Sequence, residues 1–152
     1  MKAIYLDHAA TTPVHPKVAE AMTESLQENF GNPSSIHSFG RKARQVLDKA
    51  RSVAAQSIKA TEKDIVFTSG GTEADNIAIT GVALANQDKG KHIITTKIEH
   101  HATLHTAENL EKQGFDVTYL DVNEHGVINL EQLKNALRDD TILVTVMMVN
   151  NE

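Results

Sequence analysis

The sequence predicts an α/β fold, a mainly parallel sheet flanked by helices and preceded by a helical segment. Three observations carry this. Strand-like and helix-like stretches alternate from Asp64 onward, as they do when helices form the crossovers of a parallel sheet. Ile142-Leu143-Val144-Thr145-Val146-Met147-Met148-Val149 is almost unbroken apolar sequence, which predicts a central strand covered on both faces. Ile65-Val66-Phe67 is a short β-branched and aromatic run that stops at Ser69-Gly70-Gly71, and a helical pattern starts at Thr72. The expected division is a loop and helical segment over residues 1–60 and the first part of an α/β domain over 61–152.

Taken in order, Ile4-Tyr5-Leu6 is strand-like and ends in Asp7-His8-Ala9-Ala10-Thr11-Thr12-Pro13, a loop closed by proline. Pro16 suits a first helical position, and Val18, Ala21, Met22 and Leu26 follow at helical spacing. Phe30-Gly31-Asn32-Pro33-Ser34-Ser35 breaks that helix. Ala43, Val46, Leu47, Ala50, Val53, Ala54 and Ile58 then form one apolar stripe, whose expected role is packing. Residues 72–86 are apolar on most sides, through Ala74, Ile77, Ala78, Ile79, Val82, Leu84 and Ala85, which predicts a buried helix. His92-Ile93-Ile94-Thr95-Thr96 is a short strand. Leu104, Ala107 and Leu110 mark a helix closed by Gly114, and residues 115–120 alternate like a strand with one wetter face. Asn129-Leu130-Glu131-Gln132 resembles a capping box that opens a helix through Leu133, Ala136 and Leu137.

Composition narrows the function classes. At 152 residues, 40% apolar and 23% charged, the chain is globular. A formal charge of −5 and no basic run argue against nucleic acid and against an anionic membrane surface. No apolar run approaches the roughly 18 residues of a membrane span. Met1-Lys2-Ala3 leads straight into Ile4-Tyr5-Leu6 with no secretory pattern, so a cytoplasmic location is the expectation. With no cysteine the chain has no disulfide, no thiolate metal ligand and no cysteine nucleophile of its own.

In a parallel sheet, ligands sit beyond the carboxyl ends of the strands. Three polar clusters follow expected strands there: Ser69-Gly70-Gly71-Thr72, Ile98-Glu99-His100-His101 and Asn150-Asn151-Glu152. At the first, two glycines permit positive φ and a close backbone approach. Thr72 is placed to cap the helix, with Glu73 in its first turn. Free N–H groups and the positive end of a helix dipole there form an anion cup suited to phosphate. The Walker and G-x-G-x-x-G patterns are both absent. An ordinary capped βα turn fits the same glycines. His100 offers a flat imidazole that can stack on a ring or move a proton near neutral pH, and equally can be a solvent-facing cap. Asn151 offers an amide donor for a ring oxygen, or part of a plain turn. Together the three suit a planar phosphorylated cofactor. His101 and His105 have the i, i+4 spacing of metal ligands, but the H-E-x-x-H order is missing and a third ligand would have to come from elsewhere, so no metal is assigned. His8, His15, His37, His92 and His125 read as surface residues or caps.

Tyr-Leu-Asp-His-Ala-Ala-Thr-Thr-Pro (5–13), Gly-Asn-Pro-Ser-Ser (31–35), Phe-Thr-Ser-Gly-Gly-Thr-Glu-Ala-Asp-Asn (67–76), Ile-Glu-His-His-Ala (98–102) and Val-Asn-Asn-Glu (149–152) resemble, in order, the motifs of the cysteine desulfurases. These are pyridoxal-phosphate enzymes of aminotransferase class V with the aspartate-aminotransferase-like fold. The resemblance implies that residues 61–152 are the first part of the cofactor-binding large domain. It implies that Gly71 and Thr72 hold the phosphate of pyridoxal 5′-phosphate and that His100 stacks on the pyridine ring and assists proton transfers. Asn151 would hydrogen-bond the pyridoxal 3-oxygen, and the 8–12 loop would lie toward the substrate. The implied reaction takes sulfur from L-cysteine to give L-alanine and an enzyme persulfide. That persulfide would pass to an acceptor or scaffold protein for iron–sulfur cluster assembly, thio-cofactor synthesis or tRNA thiolation, in a homodimeric enzyme. In the family, the aspartate facing the pyridinium nitrogen, the cofactor-bearing lysine and the sulfur-accepting cysteine all lie beyond the Asn-Asn-Glu motif. The expectation is therefore an amino-terminal portion that by itself does not turn over cysteine. A selenocysteine lyase or another class V aminotransferase is the alternative enzyme, and a non-catalytic binding or dimerisation module the alternative outside catalysis.

Overall fold

The computed structural model describes residues 3–151. Met1, Lys2 and Glu152, which belong to the expected amino-terminal lead-in and to the Asn150-Asn151-Glu152 cluster, lie outside the described residues. The chain divides into two units, Met1–Phe67 and Thr68–Glu152.

In the first unit, Pro16 sits at the start of helix α1 (Pro16–Glu28), and His15 caps it by accepting from Lys17 N at 3.3 Å. Helix α2 (Ser38–Ser57) is capped the same way, with Gly40 N donating to His37 Nδ1 at 3.3 Å. The apolar stripes are present but largely uncovered: Val18, Met22 and Leu26 of α1 and Val46 and Val53 of α2 are exposed, while α2 buries Gly40, Ala43 and Ala55. Helical periodicity shows which face seeks cover and says nothing about where the cover comes from, so the packing expected of this stripe is not supplied among the described residues. Ile65-Val66-Phe67 is not a strand. It follows a 3₁₀ turn (Glu62–Asp64) closed by a Thr61–Asp64 capping box, and the Arg51 guanidinium of α2 donates to Ile65 O and lies 4.9 Å from the Phe67 ring centroid. A side chain of α2 thus replaces the expected strand partner. Ile4-Tyr5-Leu6 also forms no strand, and Ile4 and Leu6 are exposed.

The second unit is α/β. Strands β1 (His92–Thr96), β2 (Asp116–Leu120) and β3 (Thr141–Val144) form a parallel sheet in the order β2-β1-β3. Helices α3 (Gly71–Asn86), α4 (His101–Lys112) and α5 (Leu130–Ala136) flank it, with α3 against α4 and β3, and α4 and α5 against β2. Gly114, at φ +89° just after α4, adopts the left-handed conformation that ends a helix at glycine. Asn129 caps α5 by accepting from Glu131 N at 2.9 Å and Gln132 N at 3.3 Å.

Among the described residues the expected central strand lies at the edge of the sheet. β3 stops at Val144 and is only half-buried, whereas all five residues of β1 are buried between β2 and β3. An apolar run records burial demand and carries no information on sheet order, which is set by which strands find partners. The core gathers Ile79 and Ala83 of α3, Ala107 and Leu110 of α4, Ile93 of β1, and Phe115 and Val117 around β2. Each fully buried Ile or Leu contributes about 1.5–3 kcal/mol relative to exposure. α3 buries less than expected: among the described residues only Ile79 and Ala83 are enclosed, while Ile77, Val82 and Leu84 stay exposed.

His92, read from sequence as a surface residue or cap, is fully buried at the start of β1. Its Nδ1 lies 2.7 Å from Thr141 Oγ1 and its Nε2 2.8 Å from Thr118 Oγ1, so one imidazole ties the central strand to both neighbours. Burial, and then the Arg138 guanidinium, push this imidazole below its ordinary value, against the smaller pull of Asp116 and Asp140.

Candidate functional site at the carboxyl ends of the strands

The first cluster opens α3. The helix begins at Gly71 and its cap position is Gly70, so Thr72 lies inside the first turn and does not cap it. Glu73 does not cap it either: its carboxylate reaches back past the helix start to accept from Ser69 N at 2.6 Å, which holds its pKa below the usual carboxylate range. The N–H groups of Gly71, Thr72 and Glu73 have no acceptor among the described residues, and Ala74 N is the first to bond back, to Gly70 O at 3.1 Å. Neither glycine has a left-handed φ: Gly70 is extended at φ 166°, and the left-handed glycines are Gly114 and Gly126. What the glycines provide is room, because a Cβ at either position would meet nothing within 4 Å. Three unpaired N–H donors, the exposed Thr72 and open space at a helix amino terminus make a donor set that fits a phosphate.

Asn76, which sequence reasoning passed over, anchors this turn. Its Nδ2 donates to Thr72 O at 2.7 Å and its Oδ1 accepts from Thr106 Oγ1 of α4 at 2.8 Å. The only signal in the sequence was an asparagine one turn beyond Thr72.

The second cluster opens α4. His100 is its N-cap, with Nδ1 accepting from Ala102 N at 3.1 Å. Using the Nδ1 lone pair places the neutral ring's proton on Nε2, which has no partner among the described residues. The imidazole is therefore oriented by the backbone, with its Nε2–H left open to donate. His101 and His105 stack with ring centroids 5.3 Å apart, and no group of three metal-ligating side chains occurs among the described residues.

The third cluster continues from β3. Thr145 N donates to Ile94 O at 2.9 Å, and beyond it the chain is held by side chains. Met147 N donates to the Glu99 carboxylate, and Asn150 Nδ2 donates to Ile98 O at 2.8 Å. Asn151 follows, exposed. The second and third clusters are thus brought together, and the first is tied to α4 through Asn76 and Thr106. No hydrogen bond joins Gly71 or Thr72 to His100 or Asn151 among the described residues. Glu99 was visible in the sequence only as part of the cluster. A lone glutamate before two histidines carries no sign that it will be buried.

The profile of aminotransferase class V matches residues 4–152, nearly the whole chain. The chain belongs to the aminotransferase class V family. Family members of this kind work with pyridoxal 5′-phosphate, which the donor set at Gly71–Glu73 suits. This class V chain is 62% identical over its whole length to the putative cysteine desulfurase IscS 1 of Bacillus subtilis (strain 168), of which it spans 40%. It is 56% identical over 99% of its length to the cysteine desulfurase IscS of Methanosarcina thermophila, spanning 37% of that protein. It is also similar to the solved structure of a NifS-like protein, with a TM-score of 0.89 and 40% identity over 95% of this chain and 40% of that one. The class V chain thus spans about two fifths of the curated relatives it matches. Among its described residues no helix is long and apolar enough to cross a membrane.

Proposed function

We propose that this chain supplies the phosphate- and ring-binding part of a cysteine desulfurase, which takes sulfur from L-cysteine to leave L-alanine and an enzyme-bound persulfide. The supporting observation is the unpaired donor set of Gly71, Thr72 and Glu73 beside open space, in a class V chain 62% identical to a protein described as a cysteine desulfurase. In this reading Gly71 and Thr72 hold the cofactor phosphate through backbone N–H groups and the Thr72 hydroxyl. His100 stacks on the ring and assists proton transfers at the substrate, presenting its Nε2–H as the donor. Asn151 donates to the 3-oxygen. Bound pyridoxal phosphate supplies the electron sink for the amino-acid chemistry. Residues 61–152 then form the first part of the cofactor domain, and residues 1–60 a helical segment ahead of it.

The sulfur-accepting thiol comes from outside these residues, because the chain has no cysteine. By themselves the 152 residues therefore release no sulfide from L-cysteine. The complete enzyme works as a homodimer in the cytoplasm and passes its persulfide to an acceptor or scaffold protein for iron–sulfur cluster or thio-cofactor synthesis.

The test is product analysis on the intact protein with pyridoxal phosphate, L-cysteine and a thiol reductant. Equal amounts of L-alanine and sulfide are expected. A keto acid without sulfide would instead identify an aminotransferase, and turnover of selenocysteine alone a selenocysteine lyase.

A further inference from the structure

Glu99 is a buried carboxylate, 6% exposed, and the proposed chemistry gives it no task. It lies between β1 and α4, immediately before His100. Its Oε1 accepts from Thr96 Oγ1 at 2.8 Å and from Met147 N at 2.9 Å, and its Oε2 is 3.2 Å from the same amide. No lysine, arginine or histidine forms an ion pair with it among the described residues. Burying a carboxylate is costly unless hydrogen bonds replace its water, so these donors hold the loops in the one arrangement that satisfies it. One donor closes the loop on itself, and the other comes from the segment that continues β3.

The connection falls where backbone pairing ends. Thr145 N still bonds to Ile94 O, but Met147 N finds the Glu99 side chain in place of a strand carbonyl. Three residues on, Asn150 Nδ2 returns to Ile98 O. Residues 98–99 and 147–150 are therefore doubly tied, and each tie lies beside a residue assigned to the cofactor: His100 next to Glu99, and Asn151 next to Asn150.

We infer that Glu99 is a positioning residue, whose carboxylate straps the loop bearing His100 to the segment bearing Asn151 and so sets the spacing between the imidazole and the amide that face the cofactor ring. The inference rests on the proposed cofactor roles of His100 and Asn151. Glutamine can keep the strap: its carbonyl oxygen, in the place of Oε1, accepts from both Thr96 Oγ1 and Met147 N. Alanine leaves Met147 N–H and Thr96 without their acceptor.

Hydrogen exchange on the intact protein reads the strap without any cofactor. Glu99→Ala is expected to speed exchange at Met147 and across 97–102 and 147–151, leaving 92–96 and 104–112 at parental rates, while Glu99→Gln stays near parental throughout. Titration with pyridoxal phosphate reads the consequence: Kd rises about tenfold in Glu99→Ala and stays near parental in Glu99→Gln. If Glu99→Ala does not fold, Thr96→Val removes one donor and is expected to raise Kd about threefold. Unchanged exchange at 147–151 in Glu99→Ala overturns the strap. A parental Kd in Glu99→Ala, with Kd raised in His100→Ala and Asn151→Ala, overturns the positioning role. A parental Kd in His100→Ala and Asn151→Ala overturns the cofactor reading beneath it, and the claim about ring spacing with it.

Discussion

Replacing His92 with phenylalanine keeps a ring in the centre of the sheet and removes both of its hydrogen bonds. Those bonds run to Thr141 on β3 and Thr118 on β2, from an imidazole with no exposed surface. At about 1 kcal/mol for each bond, His92→Phe is expected to cost about 2 kcal/mol near neutral pH. The cost should depend on pH. Burial and Arg138 keep the folded-state pKa of His92 below the ordinary 6.5, so the unfolded chain takes up this proton first as pH falls. Stability from the neutral ring is complete above the unfolded value and is lost as pH falls below it toward the folded value. Between about pH 7.5 and about pH 5.5 this histidine can remove at most about 1.4 kcal/mol, and phenylalanine removes nothing by this route. The gap between parent and His92→Phe should therefore narrow on acidification. Urea unfolding of both proteins at the two pH values measures it, and the comparison cancels the other titrating groups. A gap that is the same at both pH values, or widens at the lower one, would refute the argument that the ring is neutral and doubly bonded.

The other predictions concern the candidate site. His100→Ala in the intact protein should lower turnover on the order of 10²–10⁴-fold, while a chemical melt shows only about 1 kcal/mol lost with the α4 cap. His101→Ala should leave both readouts near parental, and equal damage at the two histidines with restoration by zinc would point to a metal site. Thr72→Ala should weaken pyridoxal phosphate binding with little change in turnover at saturation, since the backbone N–H groups remain; equilibrium dialysis separates the two. Borohydride reduction of the 152-residue chain with cofactor should fix it at no single lysine. Lys97 is held 2.6 Å from Asp121 and Lys91 lies 5.9 Å from the Phe115 ring, so full labelling of one lysine would contradict this expectation.

Local chemistry made much of this chain legible in its sequence. Pro16 started α1, Asn129 capped α5 and Gly114 ended α4, because these residues act through their own backbone and immediate neighbours. The alternation of strands and helices identified the α/β class, and the order of the five motifs identified the family. Tertiary structure alone decided which strand is central among the described residues, since burial pattern cannot name a strand's partners and β1 lies between β2 and β3 there while the longer apolar run at 142–149 does not. It also turned the expected strand at Ile65–Phe67 into a segment held by Arg51, because that outcome depends on a residue in another element. Gly71, Thr72 and His100 could be picked out as a candidate phosphate cup and ring partner from type and position. That His92 is buried between two threonines, that Asn76 bridges α3 and α4, and that Glu99 joins two loops required distances across 26, 30 and 48 residues of chain. A single polar side chain has no periodicity to betray its burial. The partners that make burial tolerable are brought to it only by the completed sheet.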